Sequence, residues 1–305
     1  MDHKTNTIKA LSELGRFLSQ FSTKSTLKNE SVLFNDLFFD GFKHQIKLSK
    51  EHNGWFSEAN ILFAIESWAK LLTIEKLNSW VANYPIESVS PKKVAIIMAG
   101  NIPLVGFHDF LCVLLSGHQV ICKQSSEDAR LLPALVKLLL LFEPDLSERI
   151  RFSDRKLVDY HAVIATGSNN SMLHFEQYFS HVPHLFRGHR TSVAVLTGNE
   201  SKGELHALGV DCLTYFGRGC RNVTHLLFPE GFDLNRFFEA IVDFSDVVNI
   251  KKYGNNYDYN KSIYLVNRDV HLDTGFLLLK ESEDLVSPIS VLFYQTYENE
   301  EKLFQ

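Results

Sequence analysis

The sequence predicts an α/β protein built on a parallel sheet with helices on both faces. Three short apolar runs, at residues 94–98, 119–122 and 162–165, have the length and continuity of strands that are buried on both sides. Apolar residues recur at helical spacing between them, over residues 104–116 and 128–142. This alternation of strands with helices favours a parallel arrangement of the strands.

Residues 1–88 are predicted to form a helical region that packs on the domain containing this sheet. Apolar residues recur at helical spacing over residues 8–18 and 61–72. Between these segments, Asn53 and Gly54 mark a turn. The region contains no catalytic pattern, so we expect it to form a helical layer.

A second α/β unit is predicted from about residue 187 onward. A helix is expected over residues 233–247, with Asp233 as its N-cap. Residues 255–260 are strongly polar and are predicted to form a surface loop. Strands are predicted in four places: residues 193–196, 223–228, 262–266 and 291–294.

Composition and charge exclude several classes of protein. The chain has 305 residues, 45% of them hydrophobic, and a net charge of −5, which suits a globular protein of two domains and argues against a nucleic-acid partner. The most apolar stretch, residues 131–142, is too short to span a membrane. The 13 histidines show no ligand spacing, so no metal is expected. Without a secretion signal or a CxxC pair, the four cysteines favour the reducing cytoplasm.

Cys220 is the strongest candidate for a reactive side chain. It lies in a Gly-Arg-Gly-Cys-Arg segment, residues 217–221, where the glycines allow an unusual backbone path close to a ligand. Arg218 and Arg221 flank the thiol, and nearby positive charge favours the thiolate, which is the reactive form. The alternative is a small buried core residue, the usual role of a free cysteine. We assign that core role to the other three cysteines: Cys112, Cys122 and Cys212.

Asn101 is a candidate for a polar group that acts on a reacting carbonyl. It lies in a Gly-Asn-Ile-Pro turn, residues 100–103, directly after a predicted strand. Ligands of open α/β sheets gather at the carboxyl ends of the strands, where the amide of Asn101 can donate to a developing oxyanion. A simpler and compatible role is the N-cap of the helix that follows.

Two further turns follow the second and third predicted strands. Lys123, Ser125 and Ser126 lie in the first, and Thr166-Gly167-Ser168 form the second. Ordinary turn chemistry accounts for Ser and Gly at such places, and the GxGxxG fingerprint of dinucleotide-binding folds is missing. Spacing alone therefore gives cofactor binding little support. Two acidic segments are predicted to be solvated surface: residues 127–128 and 281–284.

Taken in order, these segments resemble the aldehyde-dehydrogenase superfamily, and within it the acyl-CoA reductases of the LuxC type. The likeness covers residues 90–305. The Gly-Asn-Ile-Pro turn is similar to the family's Asn-x-Pro turn, which implies that Asn101 helps to form the oxyanion hole. The Gly-Arg-Gly-Cys segment is similar to the family's Gly-x-x-Cys segment, which implies that Cys220 is the nucleophile.

The resemblance also implies a site for a nicotinamide dinucleotide. The segment of Lys123, Ser125 and Ser126 is similar to the one whose lysine holds the adenosine ribose. Thr166-Gly167-Ser168 are similar to the Thr-Gly-Ser that meets the pyrophosphate. Residues 283–288 are similar to a late acidic-x-x-x-Pro segment, which implies that Asp284 contacts the nicotinamide ribose.

The fold implied by the resemblance is aldehyde-dehydrogenase-like and has three regions. Residues 1–88 form the helical N-terminal region, residues 89–186 the dinucleotide-binding domain with its parallel sheet, and residues 187–305 the second α/β domain with the catalytic cysteine. Because family members normally continue further, we expect the C-terminal end to be incomplete. A homo-oligomer is also expected.

Two departures from the family pattern bear on the reaction. Dehydrogenases that form acids carry a glutamate thirty-four residues before the cysteine, and that position is Phe186. Without this base, the acyl-enzyme should be hydrolysed slowly, which suits acyl transfer to or from a thiol. Ser126 stands where NAD-preferring relatives often have glutamate, which leaves room for a 2′-phosphate that Lys123 can pair with. We therefore expect NADPH as the cofactor.

The resemblance thus implies the NADPH-dependent reduction of a long-chain fatty acyl-CoA to the aldehyde, through a covalent acyl-cysteine. An acylated protein is a second candidate acyl donor. One alternative is an acyltransferase or thioesterase on the same fold. Another is a dehydrogenase-like protein that binds a ligand without turnover.

Overall fold

The chain divides into two compact units, Met1–His189 and Arg190–Gln305. The computed structural model describes residues 3–86 and 90–299. The predicted boundary between residues 88 and 89 lies outside the described residues.

The first unit begins with the predicted helical region. Its helices are α1 His3–Leu18, α2 Asn35–His52, α3 Glu58–Leu71 and α4 Ile74–Val81. Ser57 and Thr73 are the N-caps of α3 and α4, and their side-chain oxygens accept hydrogen bonds from the first-turn N–H groups of Asn60 and Lys76. These caps explain why both helices begin where they do.

The remainder of the first unit is a parallel sheet with connecting helices. Its strands are β1 Lys93–Ile97, β2 Gln119–Lys123, β3 Ile150–Phe152, β4 Ala162–Thr166 and β5 His184–Arg187. Its helices are α5 Phe107–Leu115, α6 Leu131–Phe142 and α7 Asn169–Phe179. The strand order is β3-β2-β1-β4-β5, and every pairing is parallel. The predicted parallel sheet is therefore confirmed, and the apolar pattern of the sequence missed β3 and β5.

Helix α5 packs on one face of this sheet, and the N-terminal helices α1 and α2 pack in turn against α5 and α6. Leu14 and Phe17 of α1 belong to the same buried cluster as Ile96 of β1 and Val120 of β2. The opposite face of the sheet packs against α7, where Phe175 contacts a second cluster. The strands are thus buried on both sides, which explains their continuous apolar runs.

The second unit is also an α/β arrangement. Its strands are β6 Ser192–Val195, β7 Val223–Pro229, β8 Leu272–Asp273, β9 Leu278–Glu281 and β10 Val291–Tyr297. Its helices are α8 Lys202–Leu213, α9 Leu234–Ile241 and α10 Lys251–Asn267. The strand order is β6-β7-β10-β9-β8, and only the short β8–β9 pair among these strands is antiparallel. Asp233 caps α9, as predicted.

The predicted loop at residues 255–260 and the predicted strand at residues 262–266 are both wrong, because both lie inside α10. The buried residues Tyr253, Tyr257 and Tyr264 recur at helical spacing and turn one face of α10 toward the core. The apolar residues at 263, 265 and 266 resemble a strand only when this longer periodicity is ignored.

In the described part of the chain, no helix combines the length and the apolar character needed to cross a membrane. The most apolar stretch of the sequence, residues 131–142, forms the packed helix α6.

We predict that Gly15→Ala lowers stability, although alanine favours helices. A Cβ at position 15 would lie 2.8 Å from the Cβ of Leu72 and would overlap its carbonyl oxygen. Overpacking of this kind costs about 1–3 kcal/mol. Gly41, inside α2, has no atom within 4 Å of the same position, so Gly41→Ala should stabilise by about 0.5–1 kcal/mol. Urea unfolding followed by circular dichroism measures both changes, and equal effects would contradict the close packing at Gly15.

Candidate active site

Cys220 lies exposed on the turn between α8 and β7. The alternative in which it is a buried core residue is therefore wrong. The turn begins with a 3-10 segment, Thr214–Gly217, in which Tyr215 and Phe216 have φ of 55° and 61°. This left-handed conformation costs a non-glycine residue about 1–2 kcal/mol. Other contacts must therefore hold the segment before Cys220 in place.

Asn222 provides these contacts. Its side chain is buried, and its amide nitrogen donates to the carbonyl oxygens of Asp211 and Thr214 at 2.6 and 3.0 Å. Its Oδ1 accepts from the backbone N–H of Gly219 at 2.7 Å. A Cβ on Gly219 would lie 2.7 Å from the same oxygen, so only glycine fits there.

Sequence reasoning missed Asn222. The available signal was its position two residues after Cys220 in a turn, where Asn side chains commonly bond to the nearby backbone.

The other cysteines differ from Cys220 in exposure. Cys122 and Cys212 are buried core residues, as predicted. Burial raises the pKa of the Cys122 thiol to about 12, and it also raises the pKa of Cys212 well above the ordinary value. Cys112 departs from the predicted core role because it is only half-buried.

The segment of Asp284 is attached to β7, the strand that follows the Cys220 turn. The hydroxyl of Thr224 donates to the carbonyl oxygen of Leu285 at 2.7 Å. Nδ1 of the buried His225 lies 2.8 Å from the carbonyl oxygen of Asp284. The side chain of Asp284 is exposed. The second unit therefore brings Asp284 to the same end of β7 as Cys220.

Asn101 is half-buried in the turn after β1. The N-cap of α5 is Gly106, so the interpretation of Asn101 as a helix N-cap is wrong. Leu104, in the same turn, has φ of 57°, and its N–H donates to Oδ2 of Asp128 at 2.7 Å. Burial raises the pKa of the Asp128 carboxyl to about 7. The prediction that Asp128 is solvated is therefore also wrong.

The turn of Asn101 packs directly against the segment of Ser125 and Ser126. A Cβ on Gly100 would lie 2.5 Å from Oγ of Ser125. Oγ of Ser125 also accepts the N–H of Glu127 at 3.2 Å and so caps the 3-10 segment Ser126–Asp128.

The N-terminal helical region holds this serine segment from the other side. Nε2 of His52 lies 2.9 Å from the carbonyl oxygen of Ser126, and the side-chain amide of Asn53 donates to the carbonyl oxygen of Glu127 at 3.3 Å. The region in which no catalytic pattern was visible thus positions part of the candidate cofactor site.

Lys123 ends β2, next to the loop that follows β3. Its ammonium group donates to the carbonyl oxygens of Arg155 and Asp154 at 3.0 and 3.5 Å. Lys123 therefore ties the end of β2 to the loop that follows β3.

Thr166, Gly167 and Ser168 connect β4 to α7. Ser168 is the N-cap of α7, and its Oγ accepts from the N–H of Ser171 at 3.3 Å. A Cβ on Gly167 would lie 2.9 Å from the Cβ of Ser171, so glycine allows this turn to approach the helix closely. A helix N-terminus at the carboxyl end of a parallel strand is suited to a phosphate group.

The candidate residues form two groups. The carboxyl ends of β1, β2 and β4 bring together those of the first unit: Asn101, Lys123, Ser125, Ser126, Thr166, Gly167 and Ser168. Cys220 and Asp284 belong to the second unit. The first group fits a dinucleotide, because it combines a helix N-terminus, a glycine turn and a lysine at a sheet edge. Over residues 3–86 and 90–299, no cluster of three or more His, Cys, Asp or Glu side chains could hold a metal ion.

Substitution of Asn222 should destabilise the second unit. Asn222→Ala leaves buried backbone groups without partners, which costs about 1–3 kcal/mol. Asn222→Asp keeps the acceptor for Gly219 but points an anion at two carbonyl oxygens, so we expect at least the same loss. Asn255→Ala, on the exposed side of α10, should stay within about 0.5 kcal/mol of the native chain. Urea unfolding measures the free energy of unfolding of all three variants. An Asn222→Asp chain as stable as the native chain would contradict this role for Asn222.

The sequence profile of the LuxC acyl-CoA reductases matches residues 55–242, more than half of the chain. No curated protein matches the sequence.

Solved aldehyde dehydrogenases share the fold. A putative aldehyde dehydrogenase from Burkholderia cenocepacia superposes with a TM-score of 0.67 at 12% identity, covering 99% of this chain and 71% of the other. Aldehyde dehydrogenase C from Pseudomonas syringae, a cysteine-to-alanine mutant with NAD+ and octanal, gives 0.66 at 9% identity over 98% and 68% of the two chains. The NAD+ complex of an aldehyde dehydrogenase from Bacillus cereus gives 0.64 at 12% identity over 99% and 69%.

These similarities confirm the predicted aldehyde-dehydrogenase-like fold with its helical N-terminal region. The profile match covers more than half of the chain, which is enough to assign the chain to this family. The chain therefore belongs to the LuxC family of acyl-CoA reductases, oxidoreductases that act on acyl and aldehyde groups.

Proposed function

We propose that the protein reduces a long-chain fatty acyl-CoA to the aldehyde with NADPH, through a thioester on Cys220. The observation that carries this proposal is the exposed thiol of Cys220, which lies on a strained turn held by the buried Asn222 in a chain of this family. A merely structural cysteine has no need of an exposed position or of a strained backbone.

The reaction begins at the sulfur of Cys220. The thiolate attacks the thioester carbonyl carbon of the acyl-CoA, and a tetrahedral oxyanion forms. By the family resemblance, the side-chain N–H of Asn101 and the backbone N–H of Cys220 would be the donors to this oxyanion. The bond to the coenzyme A sulfur then breaks, coenzyme A leaves as a thiolate, and the acyl group stays on Cys220.

The acyl-cysteine persists because the chain has no base to activate water at the family position. That position is Phe186, whose ring stacks on His184 with centroids 4.2 Å apart. When bound, NADPH supplies the hydride that reduces the acyl group to the aldehyde. The Cys220 thiolate is the leaving group of that step and is regenerated for the next turnover.

The turns of the first unit would hold the cofactor. The N-terminus of α7 and the Gly167 turn would bind the pyrophosphate, and Lys123 would bind the adenosine ribose. By the family resemblance, Asp284 would contact the nicotinamide ribose. Ser126 leaves room for a 2′-phosphate, which would pair with Lys123.

The compartment and the partners are further proposals. All four cysteines are free, which suits the reducing cytoplasm. An acylated protein is a second acyl donor, because a protein-bound thioester or ester presents the same carbonyl to Cys220. A homo-oligomer is proposed from the family resemblance.

Cys220→Ala should abolish NADPH oxidation with palmitoyl-CoA, because no other group can form the acyl-enzyme at this turn. With palmitoyl-CoA and no nicotinamide, mass spectrometry should find one acyl group on the Cys220 peptide of the native chain and none on that peptide in the variant. Asn101→Ala should stay folded and lose roughly 10²–10³ in rate.

Other outcomes would identify the alternatives. Steady release of coenzyme A and fatty acid without NADPH oxidation would identify a thioesterase, and passage of the acyl group to an added thiol would identify an acyltransferase. A chain that neither carries an adduct nor turns over substrate would be a binding protein. Each of these results contradicts the reductase.

Ser126→Glu should reverse the cofactor preference. A carboxylate at this position repels a 2′-phosphate and can accept hydrogen bonds from the free ribose hydroxyls of NADH. We expect kcat/KM for NADPH to fall and that for NADH to rise, with Ser126→Ala as the control that leaves NADPH preferred. If the native enzyme uses NADH better than NADPH, the cofactor proposal is wrong.

A further inference from the structure

Helix α5 brings a cysteine and a histidine together away from the residues assigned above. Cys112 and His108 are one helical turn apart, and Sγ of Cys112 lies 3.7 Å from Nδ1 and 3.9 Å from Nε2 of His108. Nδ1 of His108 also lies 3.6 Å from Oδ1 of Asp109. A thiol, an imidazole and a carboxylate in contact are the components of a nucleophilic cysteine site.

The imidazole of His108 is held in place on several sides. Its ring stacks on Trp80 with centroids 5.5 Å apart and an interplanar angle of 26°. Asp109, whose side chain is almost fully buried, also forms an ion pair with Arg187 and so cannot turn away. The carboxylate of Asp109, and then the thiol of Cys112, favour the protonated ring and raise the pKa of His108 to about 9. The protonated ring places a proton donor and a positive charge beside the sulfur of Cys112.

Cys112 is one of the residues that line a cavity of about 200 Å³. Its walls are mostly apolar and come from α4, the segment after it, and α5. The residues that line it beside Cys112 include Trp80, Val81, Tyr84, Ile86 and Leu115. Such a cavity accepts a flexible alkyl chain rather than a charged ligand.

We propose that Cys112 is a second acyl-acceptor site, which takes a fatty acyl group from an acyl thioester whose chain fills this cavity. This inference rests on the proposed function for its substrate class. The Cys112 thiolate attacks the thioester carbonyl carbon, and the bond between that carbon and the coenzyme A sulfur breaks. The coenzyme A thiolate leaves and takes the proton held by His108, so that the products are acyl-Cys112, neutral His108 and free coenzyme A.

The test uses the full chain with Cys220→Ser, which removes the other proposed acceptor. Decanoyl-CoA is added without nicotinamide, and peptides are analysed by mass spectrometry over time. We expect one decanoyl group on the peptide of Cys112. Cys122 and Cys212 are internal controls that should stay unmodified because they are buried.

Two comparisons distinguish a built site from random exchange. His108→Gln should slow the acylation of Cys112 by roughly 10²-fold, because the proton donor and the charge beside the sulfur are lost. Since half of the His108 side chain is exposed, this variant should fold. Acetyl-CoA, which cannot fill the cavity, should react more slowly than decanoyl-CoA.

The proposal is overturned if Cys112 stays unmodified, if His108→Gln leaves the rate unchanged, or if acetyl-CoA reacts as fast as decanoyl-CoA. The native chain is measured in parallel. A decanoyl group on Cys220 but not on Cys112 overturns this inference alone. The absence of an adduct on Cys220 when the native chain is given palmitoyl-CoA overturns the proposed function instead.

Discussion

One buried amide holds the turn on which the proposed chemistry depends. Through three hydrogen bonds, the side chain of Asn222 joins the end of α8, Thr214 just before the left-handed residues, and the glycine before Cys220. Its backbone carbonyl also accepts the N–H of Ser192, the first residue of β6. Because a strained backbone relaxes unless its surroundings fix it, the exposed thiol keeps its place only while this amide is satisfied.

The first unit follows a different design, in which three sequence segments support one another at the sheet edge. The turn of Asn101 follows β1, the serine segment follows β2, and the end of α2 reaches the carbonyl oxygens of Ser126 and Glu127. Asp128 links the first two through the N–H of Leu104. The N-terminal helices therefore do more than cover an apolar face, because they help to define the shape of the proposed cofactor site.

The sequence was informative where one periodicity dominated. The strands β1, β2 and β4 are buried on both faces and gave unbroken apolar runs, whereas β3 and β5 have exposed positions and gave no such run. The buried tyrosines of α10 recur at helical spacing, but the short apolar run at residues 262–266 was interpreted as a strand instead. Asp128 could not be predicted from its charge, because the N–H that it binds belongs to a distant segment of the chain. Asn222 was missed because a turn asparagine is usually solvated.

The buried carboxyl of Asp128 links the first unit to proton uptake. The pKa of this carboxyl is about 7 in the folded chain, against an ordinary value of 3.8. Between these two pH values, the folded chain keeps a proton on Asp128 that the unfolded chain has released. The contribution of this proton to the free energy of unfolding is complete below about pH 4 and is lost as the pH rises through about 7. Mild alkali therefore leaves a poorly hydrated negative charge that only the N–H of Leu104 is seen to stabilise among the described contacts, so the stability of this unit depends on pH in the neutral range.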